Sequence, residues 1–223
     1  TAEAADGASG MMLRNQSSTV GEPGSAFGGK RGNLRYGTTQ AAEIAGALRR
    51  RLEVVDRIDL VAATDQPQEL LEAFGGLHGA HGVQHEERGD EASLRLSDGV
   101  TARLRCVRNA DFVVAMVWET GSDAHLQGLL EIGKGKGVEL FPTELRSGGK
   151  KARVSRESQV YERLGLPYVE PELREGLGEL EAAAGSKLPK LAELTDLRGT
   201  FHCHTTASDG KATLAEMALG ARE

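Results

Sequence analysis

Two histidines and an aspartate near the end of the chain have the residue types and spacing of a metal site. His202, His204 and Asp209 lie within eight residues of one another. In an extended strand the two imidazoles would share a face, because successive side chains alternate. Mixed histidine and carboxylate ligands suit zinc, manganese or iron, which activate bound water for hydrolysis. We therefore predict that these three residues contribute to a divalent metal site.

The segment after this motif is long enough for only a small part of a domain. Leu214, Met217 and Ala218 follow the spacing of one helix face. A strand, a turn and a helix make one unit of a larger α/β domain, because a parallel strand needs paired neighbours and a covered face. We therefore expect the chain to be truncated, with further metal ligands beyond Glu223.

Length, charge and cysteine content limit the class of protein. The 223 residues suffice for one large or two small domains. The formal net charge of -6 provides no global basic field for nucleic acid, so such contacts would depend on local patches. The two cysteines, Cys106 and Cys203, have no Cys-x-x-Cys partner, and no apolar run has transmembrane length. We predict a reduced, cytoplasmic protein without membrane contact.

The pattern of apolar and turn residues predicts a mixed α/β module after a loose lead-in. Residues 1–38 are rich in Gly, Ser and Ala and lack a sustained apolar period. From Thr39, an N-cap type of residue, a helix is predicted up to the basic run 49–51. A loop is expected over 141–155, where glycines interrupt the pattern. Further helices are predicted at 66–74, 111–118, 124–134 and 157–164, and strands at 54–63, 82–87, 93–96 and 101–107.

A series of motifs in fixed order leads into the histidine pair. They are Leu-Gly-Leu-Pro-Tyr-Val at 164–169, Pro-Glu-Leu-Arg-Glu-Gly at 171–176, Gly-Glu-Leu-Glu-Ala-Ala at 178–183, Leu-Pro at 188–189 and Asp-Leu-Arg-Gly at 196–199. This series resembles the junction in bacterial family X DNA polymerases between the polymerase core and a polymerase and histidinol phosphatase (PHP) domain. Ordered motifs carry the resemblance, since a single short pattern has a high false-positive risk.

The resemblance implies an α/β fold, with a nucleotidyltransferase-like α+β palm and thumb followed by the first βα unit of a PHP-type β/α barrel. Residues 39–155 would form a degenerate palm and thumb, 156–197 the thumb end and linker, and 198–223 the start of the PHP domain. The implied activities are gap-filling DNA synthesis in repair and a metal-dependent 3′ to 5′ exonuclease or phosphoesterase. The implied partners are DNA and a deoxynucleoside triphosphate, with Mn or Zn at the PHP site and Mg for any residual polymerase activity.

The carboxylates that a two-metal polymerase site requires are largely replaced in this chain. The family's Gly-Asp-Ile-Asp run corresponds to Asp56-Arg57-Ile58-Asp59, and its later catalytic aspartate corresponds to Arg103. Asp59 is therefore the one remaining catalytic candidate, because the two arginines would repel the ions. The alternative, which we favour, is that Asp59 is a structural carboxylate paired with a nearby arginine.

The nucleotide-binding segments that the resemblance implies are also altered. Gly46, Arg49 and Arg50 match the family's Gly-Ser-x-Arg-Arg loop, which contacts triphosphate, but Ala47 lacks the hydroxyl. Alternatively, this stretch is a helix joined directly to the Asp59 strand, and the phosphate loop is missing.

A second segment with the same implied role lies further along the chain. Gly121 and Ser122, with His125, match a Phe-Thr-Gly-Ser segment near the incoming sugar, where Glu119 replaces the aromatic residue. This replacement adds to the doubt about nucleotide binding.

Two of these assignments have simple alternatives. The histidine pair would otherwise be solvated residues of an ordinary strand and turn, and the spacing together with the upstream junction favours the ligand role. The basic runs would otherwise be solvated faces, which we favour over contacts to DNA phosphates. Those runs are Arg49 to Arg51, and Arg146 with Lys150, Lys151, Arg153 and Arg156.

The sequence therefore predicts a repair-type family X polymerase-like protein that has lost synthesis and carries a PHP exonuclease or phosphoesterase domain. The first alternative is a non-catalytic DNA- or protein-binding module that positions a downstream hydrolase. The second is a still-active DNA-directed DNA polymerase. The oligomeric state cannot be predicted.

Overall fold

The computed structural model describes residues 39–199 and 202–222. The chain divides into two compact units, Thr1–Lys187 and Leu188–Glu223. Within the described ranges, both β-sheets lie in the larger unit. No helix of those ranges has the length and apolar character that crossing a membrane requires.

A five-stranded mixed sheet forms the centre of the larger unit. Its spatial order is β1-β2-β5-β4-β3, with β2 and β5 parallel and the other neighbouring pairs antiparallel. The strands are β1 (Thr39–Ala45), β2 (Arg57–Thr64), β3 (His81–His85), β4 (Glu91–Arg95) and β5 (Thr101–Val107). The predicted mixed α/β fold is confirmed.

Two helices cover opposite faces of this sheet. The helices of the larger unit are α1 (Gly46–Arg49), α2 (Pro67–Gly75), α3 (Phe112–Thr120), α4 (Asp123–Lys136), α5 (Glu157–Arg163) and α6 (Glu179–Ala184). Ala62 of β2 is buried with Leu71 and Phe74 of α2. Its neighbour Val61 is buried with Met116 of α3. This alternation is the one that a strand buried on both faces requires.

A small antiparallel sheet follows α4. Its strands are β6 (Val138–Leu140), β7 (Leu145–Ser147) and β8 (Lys150–Ala152). The α4 helix begins after Ser122, whose Oγ accepts the backbone N–H of His125 at 3.1 Å. It ends at Gly137, where a φ of 65° gives the left-handed cap that glycine adopts without strain.

The loop predicted over 141–155 is wrong, because β7 and β8 form a hairpin there. Gly148 and Gly149 connect the strands with φ values of 57° and 74°. Two successive positive φ angles are the mark of a type I′ hairpin turn. The adjacent glycines were the available signal, but strands of three residues are too short to show a period of two.

The helix predicted from Thr39 is also wrong, because residues 39–45 form β1. The strand pairs antiparallel with β2 over almost its whole length, with Ala45 opposite Asp59. The alanines and Glu43 favour a helix locally. Pairing with a buried strand outweighs that preference, since strand formation depends on the neighbouring strand.

The smaller unit contains the helix α7 (Leu214–Gly220). Thr213 and Glu216 form a capping box at its start, in which each side chain accepts the other residue's backbone N–H. The strand expected at the histidine pair is not formed at residues 202–204, and His202 has a φ of 61°. The described part of this unit has no other strand to pair with it, so an extended segment would leave its backbone groups unpaired.

Two glycines of α4 provide a test of the packing. A Cβ at Gly133 would overlap the carbonyl oxygen of Val138, whereas a Cβ at Gly135 would meet open space. We expect Gly133→Ala to lower the free energy of unfolding by about 1–3 kcal/mol through overpacking. Gly135→Ala should leave it unchanged or raise it by about 0.5–1 kcal/mol, since alanine loses less entropy in a helix. Urea denaturation measures both changes, and equal effects would contradict the packing.

Candidate functional site

Asp59 is neutralised by two arginines on the central strand pair. The parallel register of β2 and β5 places Asp59 directly beside Arg103. The same carboxylate oxygen, Oδ1, accepts Nε–H of Arg57 at 2.8 Å and Nε–H of Arg103 at 2.7 Å. Asp59 is only 6% exposed, so these ion pairs are poorly solvated on the carboxylate side. The prediction that Asp59 pairs with a nearby arginine is confirmed.

Arg103 connects Asp59 to a larger charge network. Its guanidinium also pairs with Glu119 at the end of α3 and, at 3.5 Å, with Glu91 of β4. Arg105 pairs with the other oxygen of Glu119. Burial lowers the pKa of Arg103, but attraction to these carboxylates and to Asp59 outweighs it and raises the pKa overall. The network therefore joins three carboxylates to three arginines, when Arg57 is included.

This network does not fit a two-metal site. Such a site needs carboxylates free to hold cations next to the reacting phosphate. Here Asp59 Oδ1 and both oxygens of Glu119 already accept arginine N–H groups. Within the described ranges, no group of three or more His, Cys, Asp or Glu side chains could hold a metal ion.

Gly46 lies against Asp59 at the start of α1. It has a φ of 60°, and a Cβ there would overlap the Asp59 carboxylate. Both facts require glycine at this position. Because β1 leads directly into Gly46, the stretch is a strand followed by a turn into a short helix. The alternative of a long helix joined to the Asp59 strand is therefore wrong.

Arg49 binds residues that lie much later in the sequence of the larger unit. Its Nη1 donates to the Thr120 hydroxyl at 2.8 Å, and its Nη2 pairs with Glu157 at 2.6 Å. Glu157 also pairs with the fully buried Arg174 at 2.7 Å. Burial raises the pKa of Glu157, but the charges and hydrogen bonds of Arg174 and Arg49 outweigh it, so the pKa is lowered.

The next two arginines of the basic run have partners of the same kind. Arg50 pairs with Glu175 at 2.6 Å and donates to the backbone oxygen of Thr120 at 2.8 Å. Arg51 pairs with Glu172 at 2.9 Å. A triphosphate at this loop would therefore compete with protein carboxylates for each guanidinium.

Gly121 and Ser122 have structural roles at the junction of α3 and α4. The Ser122 hydroxyl caps α4. The backbone N–H of Ser122 donates to the Arg174 carbonyl at 3.0 Å. A Cβ at Gly121 would lie 3.0 Å from the His125 ring. The structure therefore uses Ser122 as a helix cap and leaves little space at Gly121.

His125 is fully buried between Glu179 and Tyr161. Its Nδ1 lies 2.6 Å from Glu179 Oε1, and its Nε2 lies 3.0 Å from the Tyr161 hydroxyl. Burial lowers the pKa of His125 and outweighs the hydrogen bond and charge of Glu179, which act to raise it. The imidazole is thus neutral, with Nδ1–H donating to Glu179 and Nε2 accepting from Tyr161. Sequence reasoning missed Glu157 and Glu179 as partners, although Glu179 lies in the Gly-Glu-Leu-Glu-Ala-Ala motif at 178–183.

Comparison with known proteins gives this geometry a context. Residues 115–175 match the family model of the DNA polymerase beta thumb. Over 179 residues the chain is 31% identical to the DNA polymerase/3′-5′ exonuclease PolX of Bacillus subtilis (strain 168). The chain is similar to the family X DNA polymerases. The aligned region covers 78% of this chain and 31% of that relative, so the chain spans about a third of the relative's length.

The similarity gives names to the parts of the larger unit. The five-stranded sheet that carries Asp59 corresponds to a polymerase beta-like palm, and residues 115–175 correspond to the thumb. The ion pairs of Arg49 and Arg50, at the end of α1, therefore join the palm to residues of the thumb.

The histidine pair lies in the smaller unit. The ring centroids of His202 and His204 are 4.8 Å apart, and His204 Nδ1 lies 2.5 Å from Asp209 Oδ1. This hydrogen bond lowers the pKa of Asp209. A carboxylate on one ring nitrogen orients the other nitrogen for metal binding, as in many metalloproteins. The donors present thus suit a metal, although they form only part of a ligand set.

The stability of the protein should depend on pH through His125. Its folded-state pKa lies below the unfolded value of about 6.5, so the unfolded state binds the proton first. The free energy of unfolding should therefore fall as the pH decreases below about 6.5, by up to about 1.4 kcal/mol per pH unit. Denaturation in urea from about pH 8 to about pH 5 measures this slope.

Two variants test the assignment to His125. His125→Asn should remove most of the dependence of the free energy of unfolding on pH between about pH 6.5 and about pH 5. This result is expected whatever the stability of the variant at neutral pH. His85→Asn, on the exposed β3, should leave the slope unchanged. The assignment fails if His125→Asn retains the slope of the parent protein.

Proposed function

We propose that the larger unit is a family X palm and thumb that binds DNA but does not catalyse nucleotidyl transfer. The observation that carries this proposal is the pairing of Asp59 Oδ1 with both Arg57 and Arg103. Synthesis would require two metal ions beside this carboxylate. Two guanidinium groups already pair with its Oδ1, and their positive charge disfavours the ions.

The cost of opening this network supports the proposal. Metal binding at Asp59 would require Arg103 to leave a carboxylate that is almost fully buried. It would also leave Glu119 without one of its two arginine partners. Breaking one partner of a buried ion pair costs about 3–5 kcal/mol.

We also propose that a PHP-type metal site, including His202 and His204, supplies the protein's hydrolytic activity. The relative's name includes a 3′-5′ exonuclease, and the rings of His202 and His204 lie close together, with centroids 4.8 Å apart. A bound Mn or Zn ion would supply an activated water for attack on a phosphodiester. Asp209 would hold the His204 ring in place or act as a ligand itself. The palm and thumb would then position DNA for hydrolysis.

The first experiment tests synthesis. We expect the protein to extend a primer at a one-nucleotide DNA gap no faster than a protein-free control, with either Mg²⁺ or Mn²⁺, because Asp59 is not available to a metal. Asp59→Asn should give the same result. Asp56→Asn is the matched control, since Asp56 is exposed and precedes β2. Incorporation that Asp59→Asn abolishes and Asp56→Asn retains would overturn the loss of synthesis.

The second experiment tests the hydrolytic site in a version of the protein that extends past Glu223. Substituting alanine for both His202 and His204 should lower the bound Mn or Zn and abolish 3′-exonuclease activity, because two nitrogen ligands are lost. Alanine at both His78 and His85, which are exposed in the larger unit, is the control. Metal analysis by mass spectrometry is the direct readout. Equal metal content in the two double variants would refute the site.

A further inference from the structure

A cleft with basic walls lies on the larger unit, away from the strand positions of Asp59 and Arg103. It is a cavity of about 780 Å³ whose lining includes Arg108, Lys151 and Arg153. Arg108 follows β5, and the other two lie in β8 and just after it. A neighbouring cavity of about 220 Å³ shares Arg153 and adds Arg163 of α5. We define the basic cleft by these four cations.

One wall of the basic cleft is held by a buried carboxylate. Asp111 pairs with Arg108 at 2.7 Å and with Lys151 at 2.6 Å. Burial raises the pKa of Asp111, but the hydrogen bonds and charges of Lys151 and Arg108 outweigh it and lower the pKa. One negative charge thus fixes the positions of two cations and leaves one positive charge in excess. Glu144 is 4.0 Å from Lys151 and only partly offsets it.

The basic cleft also carries two cations without an ion-pair partner among the described residues. Arg153 and Arg163 are exposed, and neither forms an ion pair with another described residue. Gln159 lines both cavities, and its amide oxygen accepts the Ser155 backbone N–H at 2.7 Å, which leaves its amide NH₂ as the donor of this side chain. Glu162 is the acidic residue that lines the smaller cavity.

The arginines of the palm, unlike Arg153 and Arg163 of the basic cleft, have carboxylate partners. They pair with carboxylates of the same unit, which reduces their capacity to hold phosphate. These arginines are Arg49, Arg50, Arg51, Arg57, Arg103 and Arg105. Uncompensated arginines close together, as in the basic cleft, are the usual feature of a phosphate-binding surface.

We propose that the basic cleft binds the phosphodiester backbone of a DNA strand. The proposal rests on the DNA binding proposed above and gives it a location. Two adjoining cavities with cations along both suit a chain of regularly spaced charges better than a single small anion. Ala110 and Val154 contribute apolar lining, and none of the described residues that line the cleft is aromatic and could stack on a base. Binding is therefore to the backbone and independent of base sequence.

The test is DNA binding by two matched double variants. Fluorescence anisotropy with a labelled oligodeoxynucleotide of about 16 nucleotides gives Kd at NaCl concentrations from about 50 to 200 mM. Arg153→Gln with Arg163→Gln should raise Kd about tenfold at low salt. The slope of log Kd against log salt should decrease by about 1.5, because two phosphate contacts are lost. Arg88→Gln with Arg95→Gln removes the same charge from exposed positions elsewhere and should stay within about twofold of the parent.

The outcomes separate the location from the function. If the parent binds DNA and the cleft variant binds within about twofold of it, the location is wrong and the proposed DNA binding stands. If the parent does not bind DNA, the proposed DNA binding and the location both fail. A poly-glutamate peptide of equal charge that displaces DNA as well as unlabelled DNA does would overturn the assignment in favour of an acidic peptide.

Discussion

The neutralisation of a buried carboxylate, Asp59, determines the arrangement of the palm. An ionised carboxylate that is 6% exposed requires close partners, since desolvation costs several kcal/mol per ion. The parallel register supplies Arg103 from the adjacent strand, and Arg57 comes from two residues earlier on the same strand. The side chain then occupies the space above Gly46, so β1 must turn into α1 through a residue without Cβ. Charge pairing, sheet register and backbone conformation depend on one another here.

A second buried network links this palm to the thumb. Arg174 is fully buried, donates to the Val169 carbonyl at 2.9 Å and lies 5.3 Å from the ring centroids of both Tyr161 and Tyr168. Its charge is compensated by Glu157, which also holds Arg49 from the palm. Breaking this contact would expose or unpair buried charges, so the link favours one relative position of palm and thumb.

Local patterns predicted most of the fold, and long-range pairing decided the rest. Helices α2 to α5 and strands β2 to β5 have clear local periods and were predicted within a few residues. Residues 39–45 have helix-favouring composition, and only pairing with β2 makes them a strand. At the site, the pairing of Asp59 with an arginine was predictable, because Arg57 lies two residues before it in the sequence. The partner of Arg49 was not, because Glu157 lies 108 residues away along the chain.

Two residues that differ from the family motifs, Arg103 and Glu119, are separated in the sequence but in contact in the structure. Arg103 and Glu119, which stand where the resemblance implies an aspartate and an aromatic residue, form an ion pair. Arg103 alone would bring a second cation to Asp59, which already pairs with Arg57. Without Arg103, Glu119 would keep only Arg105 as an arginine partner. Together they balance the charge. The carboxylates of the central sheet and of α3 are therefore held in a self-compensating ion-pair network, in which Asp59 and Glu119 share Arg103.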